Sequence, residues 1–378
     1  MTDDERFMAM AVERATLGRG HVEPNPMVGC VLVRDDKVIG IGHHERYGSP
    51  HAEPNALADA GDARGATAYV TLEPCCYTGH GKQTPPCTPR LIEAGVRRVV
   101  IGCVDPNPHV AGNGIRQLRE AGIVVESGVF EAECATLIRA FRLRVEERHP
   151  MVTLKWAESR DGRVAGRQGR PVRITGDLAN SVVHELRGRC DAIAVGTNTL
   201  VNDDPQLTAR GDNPPRRAIR VVLSNSLKLP PERSLWQPGP PTVIYTHDQA
   251  PDVESPASHV EVIRLPSQDN GRGGRRFGVG DVLSDLFKRG VTHLLVEPGP
   301  KLAADLLRLG QVDRVWRFKS KRVDIGESGL VAPELDWPTI GEVDLGDDVL
   351  SEHAFDCEDR VSVDFRLARS LATGTSSR

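Results

Sequence analysis

The sequence predicts an α/β fold in two successive units, and three observations carry that prediction. Short β-branched runs alternate with stretches of helical spacing along the chain. The series closes near His149-Pro150 and begins again at Val152. A length of 378 residues suits two ordinary domains, here expected over 1–149 and 150–378.

In the first unit, Phe7, Met8, Ala11, Val12 and Ala15 recur at helical spacing within 5–17. Val28–Val33 and Val38–Ile41 read as strands joined by an Asp35-Asp36 turn. Asn55–Ala60 reads as helix and Ala66–Leu72 as strand. A helix at Pro89–Ala94, a strand at Arg98–Cys103, a helix at Ile115–Ala121 and a strand at Ile123–Glu126 complete an α/β sandwich. The second unit reads as strands at Val152–Trp156, Asp191–Gly196, Ile219–Ser224, Thr242–Thr246 and His293–Glu297. Helices are expected at Leu178–Arg187 and 301–309. Pro- and Gly-rich connections fall at 211–216, 230–241 and 266–280. The run Asn270–Arg276 reads as a surface loop, because no strand and helix flank it as a phosphate loop requires.

Composition narrows the function. Residues 1–149 carry 17 basic and 20 acidic side chains, and the remainder 31 and 32. Neither half has the basic excess of a nucleic-acid binder, so a small-molecule substrate is expected, with no nucleic acid. The acidic N-terminus lacks an apolar signal core, and no run of 18 apolar residues occurs. A cytoplasmic protein that uses no membrane is expected. Three of the eight cysteines crowd between 75 and 87, and in a reducing compartment such crowding points to metal rather than disulfide.

His51-Ala52-Glu53 precedes the Asn55 helix, and Pro74-Cys75 follows the Ala66 strand. One imidazole and two thiolates would hold zinc and leave a fourth position for water. The non-ligating Glu53 would move the proton from water to a departing amine. Thr78 occupies the place of a Cys-x-x-Cys partner, and Cys76 is too close to Cys75 to share its metal. Cys87, at the head of a helix, is the better second thiolate. Cys30, Cys76, Cys103 and Cys134 read as small core residues. The residues alone leave three readings open: a deaminase of cytidine, deoxycytidylate or tRNA adenosine, one of another amino-heterocycle, or a binding protein with structural zinc.

Longer motifs favour the second. Pro24-Asn25-Pro26-Met27-Val28-Gly29, His44-x-x-x-Gly48-x-x-His51-Ala52-Glu53, Tyr69-Val-Thr-Leu-Glu-Pro-Cys75, Thr84-Pro-Pro-Cys87 and Asp105-Pro-Asn-Pro108 occur in order. Lys155-x-Ala157-x-Ser159-x-Asp161-Gly162, Gly196-x-x-Thr199, Asp203-Asp204-Pro205-x-Leu207-Thr208-x-Arg210 and Val296-Glu297-x-Gly299-Pro300 follow. Over about 5–320 the chain resembles the bifunctional riboflavin-biosynthesis deaminase/reductase family. The resemblance implies a cytidine-deaminase-like α/β/α sandwich followed by a dihydrofolate-reductase-like α/β domain.

It implies two reactions. The first is zinc-dependent hydrolysis of the amine of 2,5-diamino-6-ribosylamino-4(3H)-pyrimidinone 5′-phosphate, and the second is NADPH-dependent reduction of the product's ribosyl group. By the same resemblance Asn25 and His44 contact the pyrimidine, and Lys82 and Thr84 grip the sugar phosphate. Ala157, Thr175, Thr199 and Asp203 match cofactor-contacting positions, and Arg187, Leu207, Arg210 and Glu297 match substrate-contacting ones. Gly299, opening a helix after a strand, suits helix amides set against a cofactor phosphate. A homodimer is expected on the same basis.

The chain also departs from that family. Eleven residues separate Cys75 from Cys87 where eight are usual, an extension that adds only about 0.3 kcal/mol of closure entropy. Zinc binding is therefore expected to survive. Arg160, Pro171 and Arg173 replace the usual Leu, Ser and Trp, and Lys319–Gly326 has lost the family's pattern. An arginine on the nicotinamide side would alter packing and charge together, so a weakened or lost reductase is expected.

Overall fold

The computed structural model describes residues 1–79, 82–210, 218–252, 257–269 and 274–355, and the chain divides into two compact units between Arg148 and His149.

The first unit runs α1 (Asp3–Ala15), β1 (Gly29–Arg34), β2 (Lys37–His43), α2 (Ala52–Ala60), β3 (Thr67–Leu72), α3 (Cys87–Glu93), β4 (Arg98–Cys103), α4 (Asn113–Glu120), β5 (Val124–Ser127), α5 (Glu131–Leu137) and α6 (Arg139–Glu146). Thr2 and Glu5 form a reciprocal capping box at the start of α1, whose buried face is the predicted Phe7, Met8, Ala11, Val12 and Ala15. Asp35 and Asp36 turn β1 into β2 at φ +52° and +57°, the left-handed pair a tight hairpin needs. The sheet order is β2-β1-β3-β4-β5, antiparallel across β2-β1-β3 and parallel across β3-β4-β5.

Helices cover both faces. A side chain at Gly29 would strike the α1 backbone at Ala11, whereas side chains at Gly40 or Gly42 would strike the α2 backbone at Ala56. Those glycines let α2 lie directly on β2, which fixes the height of its N-terminus over the sheet. The short α5 and α6 were not expected from the sequence. Phe130 at φ +56° separates α5 from β5, and Ile138 interrupts the path between the two helices. Neither runs long enough to show a helical period.

The second unit runs β6 (Met151–Glu158), β7 (Arg163–Ala165), α7 (Asp177–Arg187), β8 (Ala192–Gly196), α8 (Thr197–Asp203), β9 (Ile219–Leu223), β10 (Thr242–His247), β11 (Val260–Leu265), β12 (Ser267–Asp269), β13 (Arg275–Phe277), α9 (Val279–Lys288), β14 (His293–Val296), α10 (Pro300–Arg308), β15 (Arg314–Ser320), β16 (Leu330–Val331), β17 (Thr339–Asp344) and β18 (Asp348–Ala354). Nine strands form one sheet, β11-β10-β9-β8-β14-β6-β15-β18-β17, parallel except at its last two pairings. Alternation splits its side chains between two cores. Ile193 and Val195 of β8 pack with Val182, Val183 and Leu186 of α7, while Ala192 and Ala194 face Leu283 and Leu286 of α9 and Leu306 of α10.

Two strands, rather than a strand and a helix, flank the Gly-rich run. β12 and β13 pair antiparallel, Ser267 opposite Phe277, and Arg275 and Arg276 belong to β13. Residues 270–273 and the Pro-rich 211–217 lie outside the described residues. No described helix is long and apolar enough to cross a membrane.

Candidate active sites

The first site is assembled by three chain segments. His51 is the N-cap residue of α2 in extended conformation, and Glu53 sits in that helix's first turn, 3% exposed. β3 delivers Glu73-Pro74-Cys75 past its C-terminal end. The buried Glu73 carboxylate there accepts four backbone amides, from Asp105 (3.3 Å), Gly112 (2.9 Å), Gly114 (2.9 Å) and Ile115 (3.2 Å). It thereby ties the cysteine strand to the Asp105–Asn113 loop and the start of α4. Cys87 opens α3, and its amide and that of Thr88 donate to the Cys75 carbonyl at 2.9 and 3.1 Å.

These anchors bring His51 Nδ1 to 3.5 Å from Cys75 Sγ and 3.4 Å from Cys87 Sγ. Zinc–nitrogen and zinc–sulfur bonds at tetrahedral angles would place such atoms about 3.6 Å apart, so the donor set fits the ion. Among the described residues it is the one three-donor His/Cys/Asp/Glu cluster compact enough for a metal. Hydrogen bonds from Cys87 and His51 pull the Cys75 thiol far down, outweighing burial, while Cys87 is raised by that bond and by burial. Burial lowers His51, but the bond to Cys75 and the Glu53 charge outweigh it and the net shift is upward. Glu53 is raised, first by burial and then by the charge of Cys75. Cys76 is half-buried against the His109 carbonyl, and Cys30, Cys103 and Cys134 are buried away from the cluster.

A cavity of about 290 Å³ opens over these residues. Asn25, His44, Lys82 and Thr84 all line it. His44 Nδ1 bonds the Pro50 carbonyl at 3.0 Å, so the ring donates there and accepts from the Asn25 amide at its other nitrogen, 3.2 Å away. Burial lowers the His44 pKa, which keeps that ring neutral. The Thr84 hydroxyl lies 3.1 Å from His51 Nε2, so it supports the imidazole directly. Sequence reasoning missed Tyr47, Asp105, Asn107, Phe141 and Arg144 on the same cavity wall. Asp105 and Asn107 lay within a quoted motif and were readable. Phe141 and Arg144 come from α6, which gave no signal.

In the second unit a cavity of about 950 Å³ lies beyond the C-terminal ends of β6, β8 and β14. Ala157, Thr175, Thr199, Asp203 and Gly299 all line it, as does Glu297. Gly299 is the N-cap residue of α10, with Pro300 at the first helical position. Arg187 grips Glu297 through two bonds of 2.7 Å and donates to the Thr208 carbonyl at 3.4 Å. Leu207, at φ +52°, is sealed in the core, and exposed Arg210 bonds Gln206; neither lines the cavity. Lys155, missed as a site residue, does line it, above the Phe318 ring, and burial lowers its pKa. A lysine within the apolar run Val152–Trp156 was the available signal.

The departures from the family pattern fall in different places. Arg160 is exposed, pairs with Asp324 and is not part of the cavity wall. Pro171 and Arg173 do line the cavity, and Arg173 pairs with Asp177. The altered Lys319–Gly326 segment is held by the Asp161 carboxylate, which accepts amides of Ile325 and Gly326, and by Ser320, which accepts those of Arg322 and Val323.

Residues 1–103 match the cytidine and deoxycytidylate deaminase zinc-binding region, and residues 150–318 match the RibD C-terminal domain. Fold and site together define a zinc-dependent deaminase joined to a reductase. RibD of Aquifex aeolicus is 36% identical, covering 86% of this chain and 91% of its own, and RibD of Escherichia coli is 38% identical over 82% and 86%. The solved structure of Acinetobacter baumannii RibD superposes with a TM-score of 0.79 at 33% identity, over 93% of this chain and 98% of that one. The Thermotoga maritima deaminase/reductase gives 0.78 at 34% over the same shares. The chain belongs to the RibD family, the bifunctional deaminase/reductases of riboflavin biosynthesis, with zinc and NADPH as cofactors.

Proposed function

We propose that His51, Cys75 and Cys87 hold the zinc and that Glu53 is the proton carrier in hydrolytic deamination of 2,5-diamino-6-ribosylamino-4(3H)-pyrimidinone 5′-phosphate. Zinc bound there acidifies water to near neutrality. Glu53, not a ligand, takes the water proton and returns it to the departing amine, a role that suits a buried carboxyl with a raised pKa. Asn25 and the neutral His44 orient the pyrimidine, and Lys82 receives the phosphate. The observation that carries this reading is the convergence of His51, Cys75 and Cys87, with His51, Cys75 and Glu53 lining one cavity.

The deaminated product is then reduced with NADPH in the second unit. Ala157, Thr175, Thr199, Asp203 and Gly299 contact the cofactor, the last through the α10 N-terminus. Arg187, Leu207, Arg210 and Glu297 belong to the substrate side. The paired Arg187 and Glu297 set the polarity of that wall, and the outward pairing of Arg160 supports an active reductase. The enzyme works in the cytoplasm on small molecules, as a homodimer, with domains 1–149 and 150–378. The test is a coupled assay on the diaminopyrimidine with and without NADPH, together with zinc quantification and light scattering. Ammonia release needing zinc alone, and NADPH oxidation needing prior deamination, are expected. Deamination of free cytidine instead would overturn the reading.

A further inference from the structure

We infer that Arg144 of α6 is a phosphate-recognising residue of the deaminase, the guanidinium that makes the first reaction prefer a phosphorylated substrate; this rests on the deaminase reading above. The cavity is graded from floor to mouth. Glu53 and His44 at the floor are at most 3% exposed, whereas Tyr47, on the same wall, is 49% exposed. The amine that leaves must reach the floor, so the 5′-phosphate at the far end of the ribose lies toward the mouth. A phosphate monoester dianion there needs cationic donors.

The described residues of the wall supply two permanently charged cations, Lys82 and Arg144. Thr84 has its hydroxyl against His51 Nε2 at 3.1 Å, and a neutral hydroxyl brings no charge to set against a phosphate dianion. Lys82 Nζ lies 4.7 Å over the Tyr77 ring, which places that charge on the same rim. Arg144 comes from the opposite direction in the chain, one helical turn after Phe141, which also lines the cavity. Arg144 is half-buried on the wall it shares with Tyr47, and burial lowers its pKa, with Tyr47 acting in the opposite sense. The acids of the wall, Glu53, Glu73 and Asp105, are all buried, and Glu73 is saturated by backbone amides. A planar fork at the rim therefore offers a bidentate phosphate contact that Lys82 cannot.

The experiment measures KM and kcat of the zinc-loaded full chain for the 5′-phosphorylated substrate and for its dephosphorylated counterpart, in wild type, Arg144→Met and Arg144→Lys. Wild type should favour the phosphorylated compound. Arg144→Met should lower that preference about tenfold or more through KM, and Arg144→Lys should recover part of it. Zinc content and thermal melting report whether each variant is folded. An unchanged preference in a folded Arg144→Met, or equal losses on both substrates, overturns the proposal. Zinc-loaded wild type that deaminates neither compound would instead defeat the deaminase reading on which it rests.

Discussion

His51 presents its two ring nitrogens to opposite tasks: Nδ1 faces both thiols at 3.4–3.5 Å, and Nε2 meets the Thr84 hydroxyl at 3.1 Å. With Nδ1 as the ligand, Nε2–H donates to Thr84, which fixes ring orientation and raises basicity. Thr84→Val should weaken zinc affinity roughly 10- to 100-fold in chelator competition, with Thr84→Ser close to wild type. An unchanged affinity in the valine variant would show that the ring is held by packing alone.

Glu53 is close to the metal ligands without belonging to them. Glu53→Ala should retain a full complement of zinc by elemental analysis while losing deamination at least about 100-fold. Loss of zinc in step with activity would make Glu53 a ligand instead.

The Glu73 carboxylate accepts amides at both oxygens. In Glu73→Gln one end becomes a donor facing donors, so two amides lose their acceptor in a buried site. A destabilisation of about 2–3 kcal/mol is expected in denaturant melts, and with it weaker zinc retention, because the same turn carries Cys75. A variant as stable as wild type would mean that water replaces the lost acceptor.

Arg187 and Glu297 are 13% and 14% exposed and satisfy each other. Arg187→Met leaves the Glu297 charge buried, still near Lys155, and should destabilise the second unit by about 3 kcal/mol. Reductase KM for the pyrimidine should rise with it. Melting curves that separate the two units, with deaminase kinetics unchanged, are the check.

Asp4 ties α1 to the sheet. Its carboxylate takes a forked pair of bonds from Arg98 at 2.8 and 2.7 Å and the Tyr69 hydroxyl at 2.8 Å. The Arg98 bond lowers the Asp4 pKa below 3.8, against the effect of burial. Because the folded value is the lower one, the contribution is present above the ordinary value and fades as pH falls through the depressed one. Asp4→Asn should flatten the acid limb of the stability profile by at most about 1 kcal/mol, since the pair is partly exposed. Equal acid limbs in the two proteins would assign that limb to other carboxylates.

The zinc donors and their strand-helix setting were legible because residue type and order alone specify them. The β3 and β4 strands were legible because, apart from Arg98 at the start of β4, they are runs of β-branched, apolar, aromatic or small residues. By contrast, β18 hid because Asp348, Ser351, Glu352 and His353 are buried along it, and polar residues read as loop. β15 hid for the same reason, with Arg314, Arg317 and Lys319 interleaved among its apolar residues. The partner of Arg160 was not legible, because a position in a motif does not reveal where a long flexible side chain finds its contact, here Asp324 far along the chain. The contact of Thr84 with His51 was not legible either, since no sequence pattern shows that a hydroxyl lies against an imidazole.

The Cys75 carbonyl accepts the amides of Cys87 and Thr88 directly, so the two thiolates are fastened to each other by backbone rather than through the residues between them. The intervening segment is thereby released from metal duty. The eleven residues here can therefore be lengthened or rewritten, changing what the mouth of the cavity accepts through Tyr77, Lys82 and Gln83 while the two cysteines stay fastened. For protein engineering, that makes 77–83 the natural place to graft new selectivity onto an old reaction.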